Sequence, residues 1–403
     1  MEAEHPPIDD FGRDYLRLAL NMDRLVPGFL DAYYGPPELK ALAASDQPKS
    51  PTALLAQLQG LEDTMSLLAA ERQPTLAANL RAIGWLLRTL NGEEADYLEE
   101  VRQLLDVEPQ LLEEQTFLDV HCRLDVLLEG KGGLAERMIA RRKRYEVPAE
   151  GLLPLLELAH RETRERTRAL FELPAGEGVE LELVSQQAWS AFNFYLGNGR
   201  SLIQFNTDLP ASAPFLLELF AHEGYPGHHT EATLKDLKFY RGRGWAEDAI
   251  RILLAPEAVI SEGIATTAVE IICPADAQHR WNAEVLLPAA GLPAEPLAVA
   301  AAIREARRPL EYVDTNAAFL YHTGQLNADQ TVEYFQTYGL LDEERARKSL
   351  NFISHGPYRA YAFTYTAGYD LIAQASAGGD KRAIFEKLLT DKVLPSQLAA
   401  MAR

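Results

Sequence analysis

Between Ala221 and Glu231 the chain reads AHEGYPGHHTE, three histidines and two carboxylates in eleven residues. Imidazole and carboxylate groups are the donors that a zinc ion takes in hydrolytic sites. His222-Glu223 also opens the H-E-x-x-H pattern, in which two histidines four apart share a helical face and the intervening Glu acts as base. Here position 226 is Pro, and the next histidine, His228, comes six residues after His222. In an unbroken helix those two would be rotated by about 120° and separated by roughly 9 Å along the axis, too far to share an ion. His229 returns to the face of His222, but about two turns away. A shared metal therefore requires the backbone to deform. Pro226 cannot donate to the carbonyl of His222 and clashes with it, while Gly224 and Gly227 relax the chain. The spacing alone fits equally well a helix that ends at Tyr225-Pro226-Gly227, followed by two surface histidines.

A third donor is expected from a following helix. Residues 255–265 read APEAVISEGIA, with Glu262 between Ile260 and Ile264 and beside the small residues Ser261 and Gly263. A carboxylate buried in so apolar a stretch is costly unless it is paired or bound to metal. Gly263 would allow another helix to approach closely. Glu257 and Glu270 compete for the role, but Glu257 lies in a first helical turn, where capping explains it. The alternative is that Glu262 lies on the polar side of an amphipathic helix.

The elements that must position these residues read mostly as helix. Apolar residues recur at three- and four-residue spacing through 11–33, 51–70, 76–90, 97–107, 108–128, 134–145 and 152–171. After residue 174 a Gly-rich turn leads to Val179–Val184, which alternates as a strand does, and Ser201–Asn206 reads as a second strand. Helices are expected again over 245–272, 274–290, 296–321, 328–338, 342–375 and 381–390. The expected fold is mainly α, with a small antiparallel β element preceding the metal-binding helix. An N-terminal helical region, 1–173, and a catalytic region, 174–403, are expected, either separate or as one continuous domain.

Composition narrows the partners. The net charge of -20 disfavours a nucleic-acid backbone as ligand, and the basic run Arg137–Arg144 reads as a solvated helix face. No stretch approaches the roughly 20 apolar residues of a membrane span, and the acidic N-terminus is unlike a signal peptide. Two cysteines far apart, Cys122 and Cys273, suit a reducing compartment, so the expected location is cytoplasmic. There is no phosphate-binding or dinucleotide-binding glycine loop.

With these residues in view, the chain resembles the bacterial "domain of unknown function 885" family, which is related to the gluzincin zinc metallopeptidases. The similarity is clearest from about Leu202 to Gly368 and is carried by HEGYPGHH at 222–229. Glu262-Gly263-Ile264-Ala265 matches a Glu-Gly-x-Ala element, with Ile264 where the family usually has an aromatic residue. Tyr365-Thr-Ala-Gly368 matches a C-terminal Tyr-x-x-Gly element. The resemblance implies a zincin-like fold and Zn2+ held by His222, His228 and Glu262, with a water in the fourth position; His229 is the alternative to His228 as second ligand. Glu223 would take that water's proton. A donor for the resulting oxyanion would come from residues 354–365, with Tyr365 the first choice, His355 the second, and Tyr358, Arg359 and Tyr361 as further candidates. Arg359 could instead pair with a substrate carboxylate. His229 or Glu231 would orient a ligand. The strand Ser201–Asn206 would offer its edge to an extended peptide. His121, His160, His279 and His322 lack partners at ligand spacing and read as structural or surface residues.

The expected function is a zinc-dependent hydrolase, a metallopeptidase acting on a peptide or small amide substrate. A metal-binding helical protein without hydrolase activity is the competing reading, and a zinc hydrolase of non-peptide bonds is a third. Glu223 favours an enzyme, because a purely structural metal site needs no base.

Overall fold

A computed structural model describes residues 5–355 and 359–402. The chain is mainly α, as its periodicities predict. The opening helix, Asp10–Leu25, starts where the Asp9 side chain accepts from the Gly12 N–H at 2.7 Å. It is shorter than the periodicity of 11–33 suggests. Gly28, at φ 83°, follows Pro27 and ends the helical path. Residues 245–272 differ in the same way: only Pro256–Ile272 is α-helical, with Pro256 in its first turn. Residues 342–375, expected as one helix, contain two, Glu343–Ser354 and Ala362–Ser376.

Among the described residues seven strands accompany the helices: β1 (Leu30–Tyr33), β2 (Glu146–Val147), β3 (Gly178–Val184), β4 (Ala191–Gly197), β5 (Arg200–Asn206), β6 (Ala211–Ser212) and β7 (Ile250–Ile252). The pairs β1–β7 and β2–β6 are short antiparallel ribbons. The remaining sheet has the order β3-β5-β4. Its antiparallel half is β4–β5, turned through Asn198 and Gly199 at φ 56° and 68°, whereas the two strands read from the sequence, within β3 and β5, are parallel neighbours. Two positive φ angles in a two-residue turn match the twist of a hairpin. β3 adds to β5 in parallel. This arrangement overturns the peptide-binding role expected of Ser201–Asn206. That segment, within β5, is the central strand, with β3 and β4 bonded along its two sides.

Among the described residues three hydrophobic cores hold the helices, and each draws residues from both sides of position 174. One joins Leu156 to Phe205, Phe220 and Phe385; a second joins Tyr15 and Leu80 to Tyr240; the third joins Val101 and Phe117 to Val259 and Phe363. Among the described residues, no single helix is long and apolar enough to cross a membrane.

The helix Pro256–Ile272 runs through the middle of this packing, buried along most of its length. It crosses the helix Ala362–Ser376 at Gly263 and Gly368. A Cβ on Gly368 would lie 2.3 Å from the Val259 carbonyl oxygen, and one on Gly263 would lie 2.7 Å from that of Gly368. Backbone meets backbone there, so neither position accepts a larger residue. The crossing brings the N-terminal end of the second helix, with Tyr361 and Tyr365, to Glu262.

Candidate metal centre

The helix Leu216–Glu223 buries Leu216, Leu217, Phe220 and Ala221 and stops one residue past His222. Gly224 donates to the Phe220 carbonyl at 2.8 Å, the Tyr225–Pro226 peptide is cis, and Gly227 donates to the Ala221 carbonyl at 3.0 Å. A new helix, His228–Lys235, begins at once. Gly227 presses against the end of the first helix so closely that a Cβ there would fall 1.9 Å from the His222 carbonyl oxygen. The detour folds the extra residues aside. It leaves the His222 and His228 rings 4.8 Å apart and nearly perpendicular.

Ligand-capable atoms of His222, His228 and Glu262 all lie within 4.8 Å of one another. Both Nε2 atoms are 3.4 Å from a Glu262 oxygen, His222 from Oε2 and His228 from Oε1. Glu262 is buried, and its Oε1 accepts from the Tyr361 hydroxyl at 2.6 Å. Its buried Oε2 has only the His222 contact and, among the described residues, accepts no well-aligned hydrogen bond. Burial pushes the Glu262 carboxyl up, but His228 and His222 outweigh it and hold the group below the usual carboxylate range. Glu223 is also buried, 4.0 Å from His222 Nε2. Burial raises its carboxyl to about 7; His222 opposes the rise, while Glu262 and Asp31 add to it. Two imidazoles and a buried carboxylate form a donor set that could hold a divalent metal ion.

The two adjacent histidines part company. His228 faces the cluster, and its Nδ1 is 3.1 Å from Ser261 Oγ. His229 turns the other way, with Nδ1 2.8 Å from Ser201 Oγ and Nε2 3.2 Å from Glu177 Oε2. Glu177 also accepts from Tyr225 and Arg164, forming a buried polar knot behind the break. His229 therefore supports the backbone turn and does not touch the cluster. Glu231 does support the cluster: it accepts from Ser261 at 2.5 Å, Arg251 at 2.8 Å and Lys235 at 2.7 Å.

The other expected site residues divide. Tyr365 lies with its ring stacked 6.3 Å from that of His222. Burial, with Glu262 and Glu223 nearby, pushes its phenol well above the usual range. Tyr361 is the tyrosine that bonds Glu262. His355 is exposed at the end of the helix Glu343–Ser354 and is not part of the clustered trio. Tyr358 lies outside the described residues. Arg359 donates from Nε and Nη2, one edge of its guanidinium, to the two oxygens of Glu100, a protein carboxylate in place of the expected substrate carboxylate. Glu257 accepts from Asn79, and Glu270 pairs with Lys381. His121 and His322 bond backbone carbonyls, and His160 stacks on Phe220 and Tyr225.

Sequence reading missed Asp31 and Arg251. They lie on β1 and β7, with Arg251 Nε 3.8 Å from Asp31. The register of that ribbon slips between Leu30 and Ala32, so Asp31 occupies an irregularity of the kind that re-aims side chains beside functional sites. The single signal in the sequence was Arg251 between Ile250 and Ile252, a charge within an apolar alternation.

No protein-family model matches the chain, and no curated protein matches it. A solved structure from Colwellia psychrerythraea, of a protein named "putative lipoprotein", shares the fold over 99% of this chain and 77% of its own length, with TM-score 0.50 and 15% identity. A lipoprotein of that description and of unknown function from Shewanella oneidensis overlaps 90% of this chain and 75% of its own, with TM-score 0.47 and 13% identity. The M32 carboxypeptidase of Deinococcus radiodurans R1 overlaps 94% and 86%, with TM-score 0.34 and 12% identity.

Proposed function

We propose that this protein is a zinc-dependent hydrolase, with His222, His228 and Glu262 as metal ligands, Glu223 as general base, and peptides or small amides as substrates. The observation that carries the reading is the convergence of three donor groups, with His222 and His228 each 3.4 Å from an oxygen of the buried Glu262 carboxylate. A zinc ion, when bound to such a set, supplies Lewis acidity toward water and a substrate carbonyl. Glu223, buried and 4.0 Å from His222 Nε2, is placed to take a proton beside the ion. The Asn193 side chain donates to the Glu223 carbonyl at 2.6 Å and ties the base to β4. Tyr365 keeps its proton at any working pH and can donate to negative charge developing on a carbonyl oxygen. Tyr361 holds Glu262 in place. β4, an edge strand of its sheet joined to the motif helix through Asn193, takes over from β5 as the strand to which an extended peptide would add.

Metal analysis of the wild type beside Glu262→Ala tests the ligand set: zinc is expected in the wild type and lost from the variant. Full occupancy in Glu262→Ala sinks the assignment. Glu223→Gln should keep zinc but lose about 10²- to 10⁴-fold in peptide hydrolysis. Equal hydrolysis by Glu223→Gln would remove the base role. A zinc-loaded wild type that cleaves no peptide or amide would favour a metal-binding protein without hydrolase activity.

A further inference from the structure

Ser261 precedes Glu262 on the central helix and is 5% exposed. Its Oγ has three polar neighbours: Glu231 Oε2 at 2.5 Å, Arg251 Nη2 at 2.6 Å and His228 Nδ1 at 3.1 Å. A serine hydroxyl has one proton to donate and two lone pairs to accept with. Two oxygens 2.5 Å apart require a proton between them. Glu231 does not supply it. Arg251 at 2.8 Å and Lys235 at 2.7 Å keep that group a carboxylate, which only accepts. The Ser261 proton therefore points to Glu231. Arg251, always a donor, fills one of the two lone pairs. The other faces His228 Nδ1, which must then carry hydrogen. With Nδ1–H fixed in this way, Nε2, the atom 3.4 Å from Glu262 Oε1, is the position from which a proton can leave for a metal ion to bind.

We propose that Ser261 is a positioning residue that, held by Glu231 and Arg251, selects the Nδ1–H tautomer of His228 and thereby presents Nε2 to a metal ion. Its purpose rests on the zinc reading above; the tautomer itself does not. A carboxylate commonly orients a metal-bound histidine directly. Here the carboxylate acts one hydroxyl away. The serine also couples two elements, because Glu231 and His228 share a helix that Ser261 meets from another.

The test is 15N NMR of the histidine side chains in the metal-free protein, at a pH high enough that the imidazoles are neutral, with the His228 signal assigned by its loss in His228→Gln. The wild type should show Nδ1–H at His228. Ser261→Ala should show a mixture of tautomers and bind zinc about 10- to 100-fold more weakly in chelator competition. Ser261→Thr, which keeps the hydroxyl, should restore both. Nε2–H in the wild type overturns the proposal, as does Ser261→Ala with unchanged tautomer and unchanged zinc affinity. If Ser261→Ala fails to fold, the wild-type spectrum still decides. If the wild type binds no zinc, the hydrolase reading fails, and the spectrum separately settles what Ser261 does.

Discussion

Replacing Gly368 by Ala should damage both the fold and the metal centre, and the size of the effect follows from one contact. The added Cβ would lie 2.3 Å from the Val259 carbonyl oxygen, where ordinary contact begins at 3.4 Å, a shortfall of about 1.1 Å. The obstacle is backbone on both sides, so no side-chain rotation relieves it. The two helices must separate by about that distance at the crossing. Tyr361, at the start of the displaced helix, would then lie about 3.7 Å from Glu262 instead of 2.6 Å, beyond hydrogen-bond range. Overpacking of this kind costs about 1–3 kcal/mol. Losing a hydrogen bond to a charged group costs about 1.5–3 kcal/mol. The better helix propensity of Ala returns about 1 kcal/mol. The net expectation is a loss of about 3 kcal/mol, read as a lower urea midpoint of the metal-free protein with unchanged slope. Zinc affinity should fall in the same variant. Gly378→Ala, where a Cβ meets nothing within 4 Å, is the control and should change stability little. If Gly368→Ala unfolds at the wild-type midpoint and binds zinc as tightly, the helix crossing does not position Glu262.

Gly227→Ala should abolish zinc binding, because its Cβ would fall 1.9 Å from the His222 carbonyl oxygen and force the two histidines apart; wild-type zinc content in that variant would refute the account of the break. Tyr361→Phe should weaken zinc binding several-fold by freeing Glu262 Oε1, whereas Tyr365→Phe should keep zinc and lower turnover; the reverse pattern in a chelator titration with peptide assays would exchange their roles. Glu177 carries a prediction about pH. Burial raises its carboxyl, but bonds from His229, Tyr225 and Arg164 bring it from 4.5 down to about 2 in the folded state. A group depressed on folding stabilises above its unfolded value, so about 3 kcal/mol should be present at neutral pH and be lost as the pH falls from 4.5 toward 2. Glu177→Gln should flatten that part of the stability profile; an unchanged acid transition would assign it to other carboxylates.

Much of the architecture was legible because helices and turns record local physics. Three- and four-residue spacing marks a helix wherever one face is buried, and Pro226 with Gly227 marks a break because one residue lacks a donor and the other lacks a side chain. Glu262 stood out because a carboxylate among isoleucines needs a partner. The misread strands have one origin. Leu30–Tyr33 and Ile250–Ile252 are strands only because each pairs with the other, more than two hundred residues away. Nothing in four apolar-rich residues distinguishes that from the end of a helix. The place of β5 within its sheet was hidden for the same reason, since alternation marks a strand but does not say whether one or both sides are bonded.

By itself the sequence determined the donor types, the broken helix, and the small residues at 263 and 368 that permit close contact. Those are properties of single residues and near neighbours. Tertiary structure alone decided that Gly263 meets Gly368, that His228 and not His229 faces Glu262, and that Arg251 and Glu231 meet at Ser261. Which way a side chain points after a break depends on where every packed element around it comes to rest. That balance is struck among residues far apart in the chain, and no local pattern contains it.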